Sequence, residues 1–85
     1  MNFENQVAVV TGGAAGIGRS CCLSLAKKGA TVIVLDKNEN GAKAVADEIR
    51  ADGGAADSYG LDVVNVIQIR EVVNTIEKKY SKIDI

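Results

Sequence analysis

The sequence predicts an α/β fold: a doubly wound parallel sheet, of which these residues supply the N-terminal half, with strand and helix alternating three times before a fourth strand begins. Three observations predict it. Residues 7–10 and 31–35 are apolar runs without polar alternation, the pattern of strands covered on both faces. Segments with apolar residues three and four apart separate and follow such runs, as amphipathic helices do. A cluster of glycines, Gly12, Gly16 and Gly18, stands where the first run gives way to helix-compatible sequence.

Each element then follows in order. Residues 2–6 are a polar lead-in whose one large apolar side chain, Phe3, is expected to tuck against the sheet edge. Val7, Ala8, Val9 and Val10 form the first strand, and the glycines make the turn after it. The next helix carries Leu23 and Leu25 to about Lys28. Lys27 and Lys28 sit near its negative dipole end, and Gly29 is the expected C-cap. Residues 31–35 are the second strand, joined to the first by a right-handed crossover. Glu39 to Ala51 is a surface helix whose Ala42, Val45, Ala46 and Ile49 face inward, and Asp52, Gly53 and Gly54 break it. Residues 55–61 form a more polar strand suited to the sheet edge, with Tyr59 in a packing role. Residues 64–80 are the longest periodic segment, with Val66, Ile69, Val73, Ile76 and Tyr80 on its core stripe.

Residues 82–85 begin another apolar run. In the doubly wound order 3-2-1-4 that fourth strand lies beside the first, with two helices on one face and the third on the other. A sheet bared at its centre exposes a large apolar patch. The expectation is therefore that residues 1–85 are the N-terminal part of a single, truncated doubly wound domain.

Composition removes several function classes. Formal net charge is −1 with 25% charged residues of both signs interspersed, which fits neither a nucleic-acid surface nor a basic membrane patch. No apolar run approaches the ~20 residues needed to span a bilayer, and the N-terminus carries no basic leader. A cytoplasmic protein is expected. Cys21 and Cys22 are adjacent and without further partners, so no structural zinc set is available and a disulfide framework is not indicated. One of the two is expected to face the sheet, and no metal site is expected.

The chemistry lies at the glycine turn. Its unpaired helix N-terminal N–H groups and the helix dipole together attract an anion. Glycines keep the backbone bare for close approach. Arg19 adds a positive charge next to the turn, or is simply a solvated helix residue.

The spacing Thr11-Gly12-x-x-x-Gly16-x-Gly18 departs from the G-x-G-x-x-G fingerprint. Unbroken from Val7 to Gly18, it resembles the short-chain dehydrogenase/reductase family, whose signature TGxxxGxG follows the first strand, and in particular its 3-oxoacyl-acyl-carrier-protein reductase-like members. The resemblance implies a Rossmann-type sheet and an NAD(P)-dependent enzyme that interconverts a carbonyl and a secondary alcohol by hydride transfer. It places the cofactor against Gly12, Ala15, Gly16, Ile17 and Gly18. It also implies a homo-oligomer, dimer or tetramer, acting on a small carbonyl or alcohol substrate.

Asp36 ends the second strand, where such a fold places the adenosine ribose. A carboxylate there accepts from both hydroxyls and repels a 2′-phosphate, which favours NAD over NADP. Lys37 softens that preference by attracting a phosphate. The plainer role for Asp36 is to start the loop and cap the next helix. By the resemblance, Asp62 and the backbone of Val63 meet the adenine; the alternative is again a helix-capping aspartate.

The family's asparagine, serine and Tyr-x-x-x-Lys have no counterpart here. Tyr59 is followed four residues on by Val63 and Tyr80 by Asp84, so no catalytic residue is named. Other readings are a non-catalytic dinucleotide-binding or sensor module, a methyltransferase, against which the glycine spacing and Lys37 argue, and a domain-swapped assembly fragment.

Overall fold

β1 (Val7–Thr11), α1 (Gly16–Lys27), β2 (Thr31–Asp36), α2 (Glu39–Ala51), β3 (Ala55–Gly60) and α3 (Val66–Tyr80) follow one another in the computed structural model, which describes residues 3–62, 64–80 and 83–84. All strand pairs are parallel, in the order β1-β2-β3. Val7 lies opposite Thr31, and Thr31 opposite Ala55, so the three strands run level. This is the 3-2-1 half of the expected sheet.

Strand β2 has a neighbour on each side and helices on each face, and its residues Val32, Ile33, Val34 and Leu35 are all buried. Alternation along the strands splits the core in two. On one face Ala8, Val32, Val34 and Ala56 meet Cys22 of α1 and Ala42, Val45, Ala46 and Ile49 of α2. On the other, Val7, Ile33, Leu35 and Leu61 meet Val72 and Ile76 of α3. The two-plus-one distribution of helices is as expected.

Phe3 packs on the first cluster, at the C-terminal end of α1. Its N–H donates to Lys28 O at 2.7 Å, and the Lys28 ammonium sits 5.7 Å from its ring centroid. The C-cap of α1 is Lys28, one residue before the expected Gly29, which follows it in left-handed backbone at φ +97° and reverses the chain. In α3 the sequence reading needs correcting. The helix starts at Val66, which is 61% exposed, whereas the buried positions are Val72 and Ile76. They stand one helical turn apart and face β1 and β2 squarely, leaving Val73 half-buried on the flank.

Two edges complete the picture. Alongside β1, where the fourth strand was expected, Asp84 donates its N–H to Val7 O at 2.8 Å, and its carboxylate accepts the Val7 N–H at 2.9 Å. Of the rest of the expected run, Ile83 is exposed and in no strand, and Lys82 and Ile85 lie outside the described residues. At β3 the Leu61 N–H turns inward to Asp36 O, so alternate residues Ala56, Ser58 and Gly60 turn outward. Side chains meet them there. Arg50 Nε donates to Ala56 O at 3.0 Å, the Ser58 N–H donates to Asp57 Oδ1 at 3.1 Å, and Gln68 Nε2 donates to Gly60 O at 3.4 Å.

Candidate functional site

The parallel register carries the C-terminal ends of β1, β2 and β3 to one side of the sheet, and with them the glycine turn, Asp36 with Lys37, and Asp62. The sequence-predicted residues are thus gathered along one edge, except Val63, which lies outside the described residues.

Two kinds of requirement shape the turn. Gly12 (φ +67°) and Gly16 (φ +58°) occupy left-handed backbone that other residues avoid, yet a Cβ on either would meet nothing within 4 Å. Gly18 is different. A Cβ there would lie 2.0 Å from Gly12 O, so the helix start and the strand end are in backbone contact. Gly13 is a fourth glycine whose missing side chain the packing uses, and the motif spacing did not single it out. Its missing Cβ makes room for Val34 Cγ1 at 2.7 Å and Cys22 Sγ at 3.1 Å, and its N–H donates to Leu35 O.

Helix α1 begins on Ala15, in extended backbone, with no side-chain cap and no acidic residue in its first turn. Its leading donors are therefore unmatched by protein side chains and carry the dipole's partial positive charge of roughly half an elementary unit. Ile17, 84% exposed in this first turn, adds an apolar surface beside them. The open side at Gly16, the uncapped donors and the adjacent carboxylate together suit a diphosphate joined to a ribose.

Asp36 is half-buried, with both oxygens engaged. Oδ2 accepts the Ala14 N–H at 3.1 Å and Oδ1 accepts the Asn38 N–H at 2.9 Å. It does not cap α2. Asn38 does so, accepting the Gly41 N–H at 3.0 Å. Asp62 likewise leaves the capping of α3 to Asn65, whose Oδ1 accepts the Gln68 N–H. Instead Asp62 Oδ1 accepts the Val64 N–H, and Asp62 donates its own N–H to Gln68 Oε1 at 2.9 Å. Lys37 reaches across from β2 to within 4.0 Å of Asp62 Oδ2 with its side chain 82% exposed. Arg19 is committed elsewhere, its Nε donating to Glu48 Oε2 at 3.2 Å and so tying α1 to α2.

The tyrosines stand apart from this edge. The Tyr59 and Tyr80 hydroxyls both reach Asp57 Oδ2, at 3.4 and 3.2 Å. Burial first, and then the Asp57 charge, push both phenols above their ordinary value, the reverse of activation for proton transfer. Among the described residues no group of three His, Cys, Asp or Glu side chains could hold a metal ion, and no helix is long and apolar enough to cross a membrane.

Comparison with known proteins bears on the whole chain. The sequence profile of the short chain dehydrogenase family matches residues 6–85. The 3-oxoacyl-(acyl-carrier-protein) reductase of Thermotoga maritima is 38% identical over 85 residues, all of this chain and 35% of the relative. The corresponding Escherichia coli reductase is 39% identical over the same span, 34% of its length. The chain spans about a third of the length of these relatives. Among solved structures, a protein from Haemophilus influenza assigned as a D-mannonate oxidoreductase, with NAD bound, superposes at TM-score 0.93 and 34% identity, covering 98% of this chain and 30% of that one. A metagenomic short-chain oxidoreductase in complex with NADP superposes at TM-score 0.94 and 31% identity, covering 98% of this chain and 38% of that one.

Proposed function

The chain belongs to the short-chain dehydrogenase family, and on that premise we propose that residues 1–85 are the N-terminal, cofactor-holding part of a single dinucleotide-binding domain in an NAD(P)-dependent oxidoreductase. The whole protein interconverts a carbonyl and a secondary alcohol. The nicotinamide, when bound, supplies or accepts the hydride.

What this chain's own residues contribute is binding. The uncapped start of α1 presents its N–H groups to the pyrophosphate, and Gly12, Gly16 and Gly18 keep the approach bare. Ala15 and Ile17 contribute backbone and an apolar wall there. Asp36 receives the adenosine ribose hydroxyls, and Asp62 with Val63 receives the adenine. The observation that carries the reading is the bond between Ala14 and Asp36, which sets the carboxylate directly against the anion turn.

The preference is for NAD over NADP. A 2′-phosphate brought to Asp36 meets a like charge, and exposed Lys37, drawn toward Asp62, offsets that only in part. The family resemblance adds a small carbonyl or alcohol substrate and a homo-oligomer, dimer or tetramer; composition and charge add a cytoplasmic setting with neither nucleic acid nor membrane as partner. The catalytic groups belong to parts of the protein outside residues 1–85.

Calorimetric titration of the whole protein with NAD, NADP and S-adenosylmethionine tests the binding. NAD should bind most tightly, and a preference for S-adenosylmethionine would overturn the assignment. Nicotinamide absorbance with a panel of ketones and secondary alcohols then tests turnover; tight NAD binding without turnover of any of them would identify a non-catalytic module.

A further inference from the structure

Before any ligand is considered, Asp36 already holds two backbone groups. Three links shape the glycine turn: the Gly13 N–H on Leu35 O, the Ala14 N–H on Asp36 Oδ2, and the backbone contact between Gly18 and Gly12. Only the second is made by a side chain. The same carboxylate takes the Asn38 N–H, and Asn38 caps α2, whose Gly41 lies so close to the turn that an added Cβ would sit 3.0 Å from Ala14 Cβ. Asp36 therefore links the turn to the start of α2.

A carboxylate has roughly four acceptor positions, so about two remain for outside donors once the Ala14 and Asn38 N–H groups are served. The two N–H groups lie on different oxygens, so an amide, with NH2 in place of one oxygen, serves only one of them in this geometry; alanine serves neither. Because Ala15 gives α1 no side-chain cap, a turn released at Ala14 gains no side-chain hydrogen bond from the helix start among the described residues.

We infer that Asp36 is a positioning residue for the glycine turn as well as a ribose acceptor. By holding Ala14 it sets the direction in which the following N–H groups meet the pyrophosphate, so the ribose and phosphate subsites are coupled through one carboxylate. The inference rests on the cofactor reading above. It has a consequence that simple charge repulsion lacks: replacing Asp36 with a small neutral residue weakens NADP as well as NAD, even while the ratio moves toward NADP.

The test uses the whole protein, wild type and Asp36→Ala, with NAD and with an NAD analogue whose adenosine ribose lacks both hydroxyls. Without hydroxyls the ribose contact is absent from both proteins, and whatever the substitution still costs belongs to the turn. We expect Asp36→Ala to bind the analogue about tenfold more weakly than wild type, the effect of losing the charge-assisted hydrogen bond that holds Ala14. Equal affinity for the analogue overturns the positioning role and leaves the cofactor reading intact; failure of the wild type to bind NAD overturns both. Should Asp36→Ala not fold, Asp36→Asn keeps the volume with one acceptor. Amide exchange in the ligand-free variant should then be about tenfold faster at Ala14 or at Asn38, and unchanged protection at both overturns the inference.

Discussion

Lys79 Nζ lies 2.7 Å from Asp57 Oδ2, joining the last turn of α3 to the edge strand β3. Burial by itself raises the Asp57 carboxyl. The hydrogen bond from Lys79, with those from the Ser58 N–H and the Tyr80 hydroxyl, outweighs it and holds the group below its ordinary value of 3.8.

A carboxyl held low in the folded state contributes stability that is fully present above its unfolded value and is lost as pH falls through the folded one. Asp57→Asn should therefore destabilise the protein at neutral pH, by about 1–2 kcal/mol. Thermal melts of both proteins from neutral to acid pH check this, and the gap between them should close in acid. On the alkaline side, the hydrogen bond to Asp57 raises Lys79 above its ordinary 10.5. That contribution is present below the unfolded value and lost as pH rises through the folded one.

The two kinds of glycine should fail differently. In Gly18→Ala the new methyl group meets the Gly12 carbonyl, which cannot withdraw without opening the turn. The expected cost is at least about 1–3 kcal/mol of stability, with loss of cofactor binding. In Gly16→Val the added Cβ meets no protein atom within 4 Å, so apart from the left-handed backbone, worth about 1–2 kcal/mol, the fold should persist. Binding should still be abolished, because the added group stands on the open side of the turn. Calorimetry paired with thermal melts separates the outcomes, and unchanged NAD affinity in Gly16→Val would refute the phosphate assignment.

The adjacent cysteines should differ sharply in reactivity. Cys21 is exposed, whereas Cys22 is buried, and its thiol is pushed up to about 11 by burial and, secondarily, by the neighbouring Cys21. Brief alkylation at mildly alkaline pH followed by peptide mapping should label Cys21 and spare Cys22 until the protein is unfolded. Comparable labelling of both would place Cys22 outside the core.

Ile76, fully buried against β1 and β2, anchors the single described helix on its face of the sheet. Ile76→Ala should cost about 2–5 kcal/mol, read from denaturant midpoints at unchanged slope. A cost below about 1 kcal/mol would mean that the site collapses around the truncated side chain.

The readable parts of the sequence were those governed by local rules. Apolar runs without alternation marked β1 and β2, and the glycine turn was recognisable because few structures need bare backbone at those intervals. Helix α2 lies where its repeat put it, from Glu39 to Ala51. Contacts distant along the chain were hidden. Asp36 and Asp62 each left open a capping role that Asn38 and Asn65 in fact take, because a cap is chosen by loop geometry and several polar residues compete for it within three positions. Val66 fitted the helical period but begins a helix that reaches the sheet only a turn or so later. Nothing local to Asp57 marks it out, because Lys79 and Tyr80, which make it a hub, lie 22 and 23 residues away.

The outward side of β3 also governs how this sheet can meet other chains. An incoming strand gains affinity by pairing with free peptide groups, but here Arg50, Asp57 and Gln68 already occupy half of the outward N–H and C=O groups of Ala56, Ser58 and Gly60. A strand docking there would have to exchange existing bonds, two of the three charge-assisted, for new ones, and would gain little enthalpy by doing so. Growth by pairing is therefore easier on the side of β1, where Asp84 already meets Val7, and this gives the sheet a direction.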